Sequence, residues 1–123
     1  MATRSYIAVM TENGIKATYC HWDGYPEYNG KILNEHYSRE DALKLLEYGH
    51  ISSLKDTTGA CEFYHRDRGE ELFPAAMLNN IGELVEVAND HGAEFIYLFD
   101  NEWLVCDTNT RKPKFISLAR LLS

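Results

Sequence analysis

Two β-rich runs open the chain and are separated by a turn signal. Residues 5–11 and 15–22 are rich in β-branched and aromatic side chains, and Glu12-Asn13-Gly14 lies between them. An Asn-Gly pair accepts the positive φ angles of a tight turn, so this pattern predicts an N-terminal hairpin. Alternation in the second strand would place Ile15, Ala17, Tyr19 and His21 on one face and Lys16, Thr18, Cys20 and Trp22 on the other.

Two later segments carry the apolar spacing of amphipathic helices. Ser38 can cap the first helix, with Asp41 at the capping-box position and Gly49 as the terminator. Asn80 can cap a second helix over residues 81–90, which Gly92 would end. The inward-facing positions are Ala42, Leu43, Leu45 and Leu46 in the first helix, and Leu84, Val85, Val87 and Ala88 in the second. A shorter helix is predicted over residues 31–37.

The remaining segments complete an α+β pattern. Residues 60–65 are predicted as a middle strand, 94–99 and 103–107 as a C-terminal hairpin, 114–117 as a strand and 118–122 as a helix; 24–30 and 50–56 are predicted irregular. We therefore expect one domain spanning residues 1–123. It would be an antiparallel β-sheet, made of the N-terminal hairpin, the middle strand and the C-terminal hairpin, packed with two main helices.

Composition places the chain among ordinary globular proteins. Of its 123 residues, 45% are hydrophobic and 25% are charged, which is typical of a domain with its own core. The three cysteines, Cys20, Cys61 and Cys106, include no Cys-x-x-Cys pair, so we expect reduced thiols in or near the core. Neither a leader nor a membrane-length apolar run is apparent, which favours an unprocessed cytoplasmic protein. No cofactor is predicted.

Charge is segregated along the chain. The formal net charge of -7 disfavours nonspecific binding to nucleic acid. Residues 69–110 contain nine carboxylates and no Lys or Arg, whereas the tail carries four cations, Arg111, Lys112, Lys114 and Arg120. This separation suits self-association into a homo-oligomer. The acidic stretch could alternatively imitate duplex phosphates and block a DNA-binding protein, with Glu83, Glu86 and Asp90 as the residues to test.

The segment from Tyr19 to Gly30 is the strongest candidate for a functional loop. It combines aromatic rings, an imidazole, two carboxylates and two glycines, a mixture that is costly as core filler because each polar group needs a partner. Trp22, Tyr25 and Tyr28, with Asp23 between them, could stack on a ligand or anchor a protein partner. Alternatively, Trp22 simply covers the open end of the sheet.

A second candidate follows the predicted middle strand. Strand alternation would place Tyr64, Arg66 and Arg68 on one face. Two guanidinium groups beside a tyrosine can hold a phosphate or carboxylate through forked hydrogen bonds. The alternative is that both arginines pair with carboxylates, which are abundant in this acidic chain.

Catalysis is the less favoured interpretation. His21 with Asp23, and His65 with Asp67, could bind a divalent metal or act as acid and base, although this spacing is not a known ligand signature. Hydrogen bonding at loop ends is the alternative. A nucleophilic Cys20 activated by His21 is disfavoured, because adjacent strand residues point apart.

Two motifs resemble small uncharacterised proteins of tailed phages and prophages. They are Tyr19-Cys20-His21-Trp22-Asp23-Gly24-Tyr25-Pro26 with Asn29-Gly30-Lys31-Ile32-Leu33, and Phe63-Tyr64-His65-Arg66-Asp67-Arg68-Gly69-Glu70. The resemblance implies an accessory protein that acts on host machinery or counters a defence system in the host cytoplasm, and it supplies no catalytic residues.

The leading hypothesis is therefore noncatalytic binding of a host protein or of a small nucleotide-like signal. Binding would use the loop from Trp22 to Tyr28 and the strand end at Arg66 and Arg68. The alternatives are a hydrolase of phosphoester or glycosidic bonds that uses His21, Asp23, His65 and Asp67, and the acidic DNA mimic.

Overall fold

A computed structural model describes residues 3–67, 69 and 75–123, with backbone alone at His65 and Arg66. The strands are β1 Ser5–Thr11, β2 Gly14–Cys20, β3 Ile51–Ser53, β4 Glu62–Phe63, β5 Ala76–Leu78, β6 Phe95–Asp100, β7 Glu102–Asp107 and β8 Ile116–Ser117. The helices are α1 Lys31–His36, α2 Arg39–Leu46, α3 Tyr64–Asp67, α4 Ile81–Asp90 and α5 Leu118–Leu122. The mostly antiparallel sheet with helices confirms the predicted α+β class.

Both predicted hairpins form. β1 and β2 pair from Ser5↔Cys20 to Thr11↔Gly14, and Gly14 takes the positive φ of 135° that the turn requires. β6 and β7 pair antiparallel around Asn101, whose φ is 66°. The local turn signals therefore correctly located the two halves of the sheet.

Tertiary pairing joins the hairpins in a way that the sequence pattern did not predict. The strand order is β4-β3-β2-β1-β6-β7-β8, with β5 pairing the other end of β2. β1 lies parallel to β6, and β2 lies parallel to β3. Parallel neighbours need a long connection; α1 and α2 lie between β2 and β3, and the strands β2–β5 with α1–α4 lie between β1 and β6. β1 is consequently a central strand.

Hydrophobic cores lie on both faces of the sheet. On one face, Ile7 and Val9 pack with α1, α2 and α5; we call this the α2 face. On the other, Tyr6 and Ala8 pack with Leu84 and Ala88 of α4; we call this the α4 face. The two-residue period of β1 explains why consecutive residues belong to different cores. The two main helices thus cover opposite faces.

The predicted helix caps are confirmed. The Ser38 hydroxyl accepts from the backbone N–H of Asp41, and the Asp41 carboxylate accepts from Ser38, which completes a capping box. Asn80 Oδ1 accepts from the N–H of Glu83 at 2.9 Å. Gly92 follows α4 with a φ of 72°.

Several local predictions were wrong. Residues 50–56 include the short strand β3, and β5 was not predicted. The middle strand, predicted over residues 60–65, is β4 and ends at Phe63. Residues Tyr64–Asp67 form α3 instead, because the Asp67 carboxylate accepts the N–H of Phe63 at 2.8 Å. The proposed strand alternation of Tyr64, Arg66 and Arg68 therefore fails at its first two positions, and Arg68 lies outside the described residues.

All three cysteines are buried thiols, as expected. Burial raises the pKa of the Cys20 thiol from 9.0 to about 12, which disfavours the thiolate that a nucleophile needs. Cys20 is therefore a core residue. Across the described ranges, none of the helices has both the length and the apolar character needed to cross a membrane.

Candidate functional site

The segment from His21 to Gly30, which we call the motif loop, leaves the sheet without losing its hydrogen bonds. The N–H groups of His21 and Trp22 donate to the carbonyls of Ile51 and Ser52 at 3.0 and 3.1 Å. Asp23 then takes a φ of 57° and turns the chain. Residues predicted as irregular loop form a π-helical turn from Pro26 to Gly30, which leads directly into α1.

Gly24 fixes the motif loop against the sheet. Its N–H donates to the Thr3 carbonyl at 2.8 Å, and its carbonyl accepts a hydrogen bond from the Tyr97 hydroxyl. A Cβ at this position would lie 2.7 Å from the Thr3 oxygen and 2.8 Å from Ser5 Cβ. A glycine is required here by the closeness of the neighbouring backbone.

Asn29 fixes the same loop from within, and it was not among the predicted site residues. Its side chain is fully buried, and Nδ2 donates to the Trp22 carbonyl at 3.0 Å and towards Cys20 Sγ at 3.4 Å. Its backbone N–H donates to the Asp23 carbonyl at 3.2 Å. Several polar groups of the motif thus serve to hold the loop rigid.

The same framework exposes two aromatic side chains that have different ring neighbours. Trp22 is 42% exposed and Tyr25 is 38% exposed. The Trp22 ring stands edge-on to His21 at 4.7 Å, and His21 lies 6.3 Å from Tyr64. Tyr25 instead lies 6.2 Å from Tyr28. Trp22 and Tyr64 thus both lie beside His21, whereas Tyr25 and Tyr28 form a separate pair.

Tyr25 borders a cavity of about 650 Å³ beside the α2-face core, which we call the Tyr25 groove. Apolar side chains from β6, β7, β8 and α5 line it, namely Phe95, Val105, Ile116, Leu121 and Leu122. Lys112 and Lys114 also line it, together with the acidic Glu27 and Asp107. The groove was missed from sequence because its walls are far apart in the chain, although the cluster of basic tail residues was a usable signal.

The proposed metal or acid–base set is only partly described. His21 Nδ1 lies 2.7 Å from the Tyr19 hydroxyl, and the Asp67 carboxylate is used by the Phe63 N–H. Within the described residues, no three His, Cys, Asp or Glu side chains are placed to hold a metal ion. The side chain of His65 lies outside that description, so the four-residue site with Asp23 stays a prediction.

Two further hypotheses also stay predictions. The side chains of Arg66 and Arg68 lie outside the described residues, so their proposed contact with an anion is not tested. In the acidic stretch, Glu86 and Asp90 are exposed on α4, whereas Glu83 accepts hydrogen bonds from Asn79. Only two of the three acids proposed for DNA mimicry are therefore fully available to a partner.

The fold and the site define an α+β protein with a rigid aromatic loop beside a ligand-sized groove. No family model, curated protein or solved structure matches the chain. The geometry of the loop and the groove is therefore the basis for a functional assignment.

Proposed function

We propose that this protein is a noncatalytic binding protein that holds a small nucleotide-like ligand in the Tyr25 groove. The observation that carries the proposal is a cavity of about 650 Å³ whose lining combines apolar side chains, an exposed tyrosine and two lysines. Small-molecule sites commonly have volumes of about 300–1,000 Å³ and place a few polar groups around an apolar lining.

The chemistry of the lining favours a flat ring that carries an anionic group. Tyr25 can stack on a base, because two aromatic rings attract each other in offset-stacked arrangements. Lys112 and Lys114 can neutralise a phosphate. Glu27 and Asp107 can accept hydrogen bonds from a sugar hydroxyl or an amino group. This combination matches the parts of a nucleotide.

The resemblance to phage accessory proteins suggests the biological setting. A host nucleotide signal held in the groove would be withdrawn from its receptor, which would serve host takeover or the suppression of a defence response. A host protein that inserts an aromatic or acidic side chain into the same groove is the alternative partner.

The proposal can be tested by calorimetric titration with AMP, cyclic AMP and a cyclic dinucleotide. We expect saturable binding of at least one, with the nucleotide recovered unchanged. Tyr25→Ala should weaken binding by about tenfold, given the usual value of an aromatic contact. The double variant Lys112→Gln/Lys114→Gln should weaken it further.

Matched controls separate the groove from the rest of the surface. Trp22→Ala removes an equally exposed ring outside the groove lining, and Lys44→Gln removes an exposed cation on α2. Both variants should bind like the parent. Equal losses in controls and groove variants would reject the groove as the site, and breakdown of the nucleotide would favour the hydrolase alternative.

A further inference from the structure

Three of the five histidines in the chain surround one tyrosine. Ring centroids of His21, His50 and His91 lie 5.9, 5.8 and 6.2 Å from that of Tyr19. Tyr6 lies 6.1 Å from Tyr19 and is its partner across the β1–β2 ladder. We call these five residues the Tyr–His cluster. They come from four separate segments, so no sequence motif marks them.

The Tyr–His cluster lies at the end of the α4 face, away from the Tyr25 groove. Tyr6 belongs to the α4-face core, and Tyr19 packs against that core. α4 ends at Asp90, and His91 follows as its C-cap, exposed to solvent. The cluster therefore begins where the helix stops covering the sheet.

Arg4 adds a permanent cation to this surface. Burial raises the pKa of Tyr19, and the neighbouring Arg4 guanidinium opposes that rise. The guanidinium also lies over Gly92, where a Cβ would be 3.0 Å from Arg4 Nη1. A residue larger than glycine at position 92 would push Arg4 away from the cluster.

The hydrogen bonds orient the imidazole rings. Val87 offers a carbonyl 2.9 Å from His91 Nδ1, and because a carbonyl can only accept, Nδ1 carries the proton. The Tyr6 hydroxyl lies 3.2 Å from the same Nδ1 atom, so its oxygen faces the His91 proton as an acceptor and its own O–H stays available for another partner. The Nδ1 atom of His21 is occupied by the Tyr19 hydroxyl at 2.7 Å, which leaves its Nε2 as the outer atom.

The charge around these groups is unusual for an acidic chain. None of Arg4, His21 and His91 forms an ion pair with a carboxylate in the part of the chain that the structure describes. His36, in contrast, lies 3.8 Å from Glu35 and 3.7 Å from Asp56. Arg4 and His21 therefore present a cation and a hydrogen-bond donor that no described acid neutralises.

We propose that the Tyr–His cluster with Arg4 binds a phosphate-sized dianion, such as the terminal group of a phosphomonoester. The guanidinium fork suits phosphate oxygens, and the Nε2–H group of His21 and the hydroxyl of Tyr6 supply further donors. The pKa of Tyr6 is raised to about 12, chiefly by burial, so its hydroxyl stays protonated. A transition metal is a poorer fit, because the described residues contain no group of three ligands placed to hold one.

A compact dianion is also favoured over a nucleic acid strand. The formal net charge of -7 repels an extended polyanion, whereas one dianion needs only the local group of donors. The site is independent of the Tyr25 groove, since the two lie on opposite faces of the sheet.

The test is a titration of the intact protein with inorganic phosphate at constant pH and ionic strength, followed through the histidine ring signals by NMR. We expect saturable shifts of His21 and His91 and none of the exposed His36. Single His→Gln variants assign the signals. Arg4→Gln should weaken binding by about tenfold or more, as expected for one charge-assisted contact. Arg39→Gln, an exposed arginine on α2, should have no effect.

Several outcomes would overturn this proposal. One is a chemical shift of every histidine, His36 included, that changes linearly with phosphate concentration and does not saturate. Another is that Arg4→Gln and Arg39→Gln weaken phosphate binding equally. Tighter binding of a single-stranded oligonucleotide without a terminal phosphate would assign the surface to nucleic acid instead. Tyr25→Ala should leave phosphate binding at the Tyr–His cluster unchanged. Failure of the phosphate-site proposal can therefore be distinguished from failure of the Tyr25-groove proposal.

Discussion

The hydroxyl of Tyr97, in the central part of the sheet, donates a hydrogen bond to the carbonyl of Gly24 in the motif loop. The two residues are 73 positions apart, and the bond is buried. Burial strongly raises the pKa of Tyr97, so the hydroxyl remains a donor at all physiological pH values. The core of the sheet thus sets the position of the loop that carries Tyr25.

Tyr97→Phe should therefore destabilise the protein by roughly 1–3 kcal/mol, because it leaves the Gly24 carbonyl without its donor. Urea unfolding monitored by circular dichroism measures the loss. Tyr28→Phe removes the hydroxyl of a half-buried tyrosine in the same loop and should change the free energy of unfolding by less than about 0.5 kcal/mol. Equal effects of the two variants would mean that the Tyr97 bond does not hold the loop.

Gly24→Ala should be among the most damaging changes of one methyl group in this chain. The added Cβ would meet the Thr3 carbonyl oxygen and Ser5 Cβ at 2.7 and 2.8 Å, and neither the backbone that leads into β1 nor the first side-chain atom of a residue in β1 can move away easily. We expect the free energy of unfolding to fall by an amount near the upper end of the roughly 1–3 kcal/mol typical of overpacking, with a matching fall in the thermal midpoint.

Gly59→Ala is the matched control for that experiment. No described neighbouring atom lies within 4 Å of the Cβ position at Gly59, so its thermal midpoint should stay close to that of the parent. A Gly24→Ala variant as stable as Gly59→Ala would show that the loop does not approach Thr3 in solution as closely as described.

Asn29→Ala should destabilise the protein by about 2–3 kcal/mol and free the Trp22 backbone. The change removes the donor to the Trp22 carbonyl and the contact with Cys20 at a fully buried site. Chemical denaturation gives the energy, and a change in tryptophan fluorescence reports the movement of Trp22. Asn34→Ala, at an exposed position of α1, should leave both readouts unchanged.

The free energy of unfolding should fall as the pH rises above about 9. Burial raises the pKa of Cys20 from 9.0 to about 12, and burial chiefly, with Asp107 nearby, raises that of Cys106 to about 11. Burial, reinforced by Tyr19, raises the pKa of Tyr6 from 10.0 to about 12. Above the ordinary values the unfolded chain releases these protons while the folded protein keeps them.

The sign follows directly from these directions. The contribution of the Cys20 thiol to the free energy of unfolding is complete below pH 9.0, the ordinary pKa of cysteine. It is lost as the pH rises through about 12, the pKa of Cys20 in the folded protein. Urea midpoints measured at successive pH values from neutral upwards should decline, and Cys20→Ala should decline less steeply. A flat profile for the parent protein would contradict the burial of these groups.

Local sequence signals predicted those elements whose stabilising contacts are local. The Asn13-Gly14 turn, the Ser38 capping box and the Asn80 cap each depend on residues within a few positions of one another, and each was predicted correctly. The predictions for β3 and α3 were wrong for two different reasons. β3 forms because β2, from elsewhere in the chain, offers it a partner strand. α3 forms because the Asp67 carboxylate accepts the N–H of Phe63, which outweighs the local strand preference.

The candidate sites show the same division. The sequence by itself marked the motif loop as a candidate site, predicted that the cysteines would lie in or near the core, and determined that the tail carries cations. Only the tertiary structure separated Trp22 from Tyr25, placed Lys112 and Lys114 at the Tyr25 groove, and gathered three histidines around Tyr19. Those relationships depend on the parallel pairing of β1 with β6 and of β2 with β3, which is set by packing on both faces of the sheet and has no local signature in the chain.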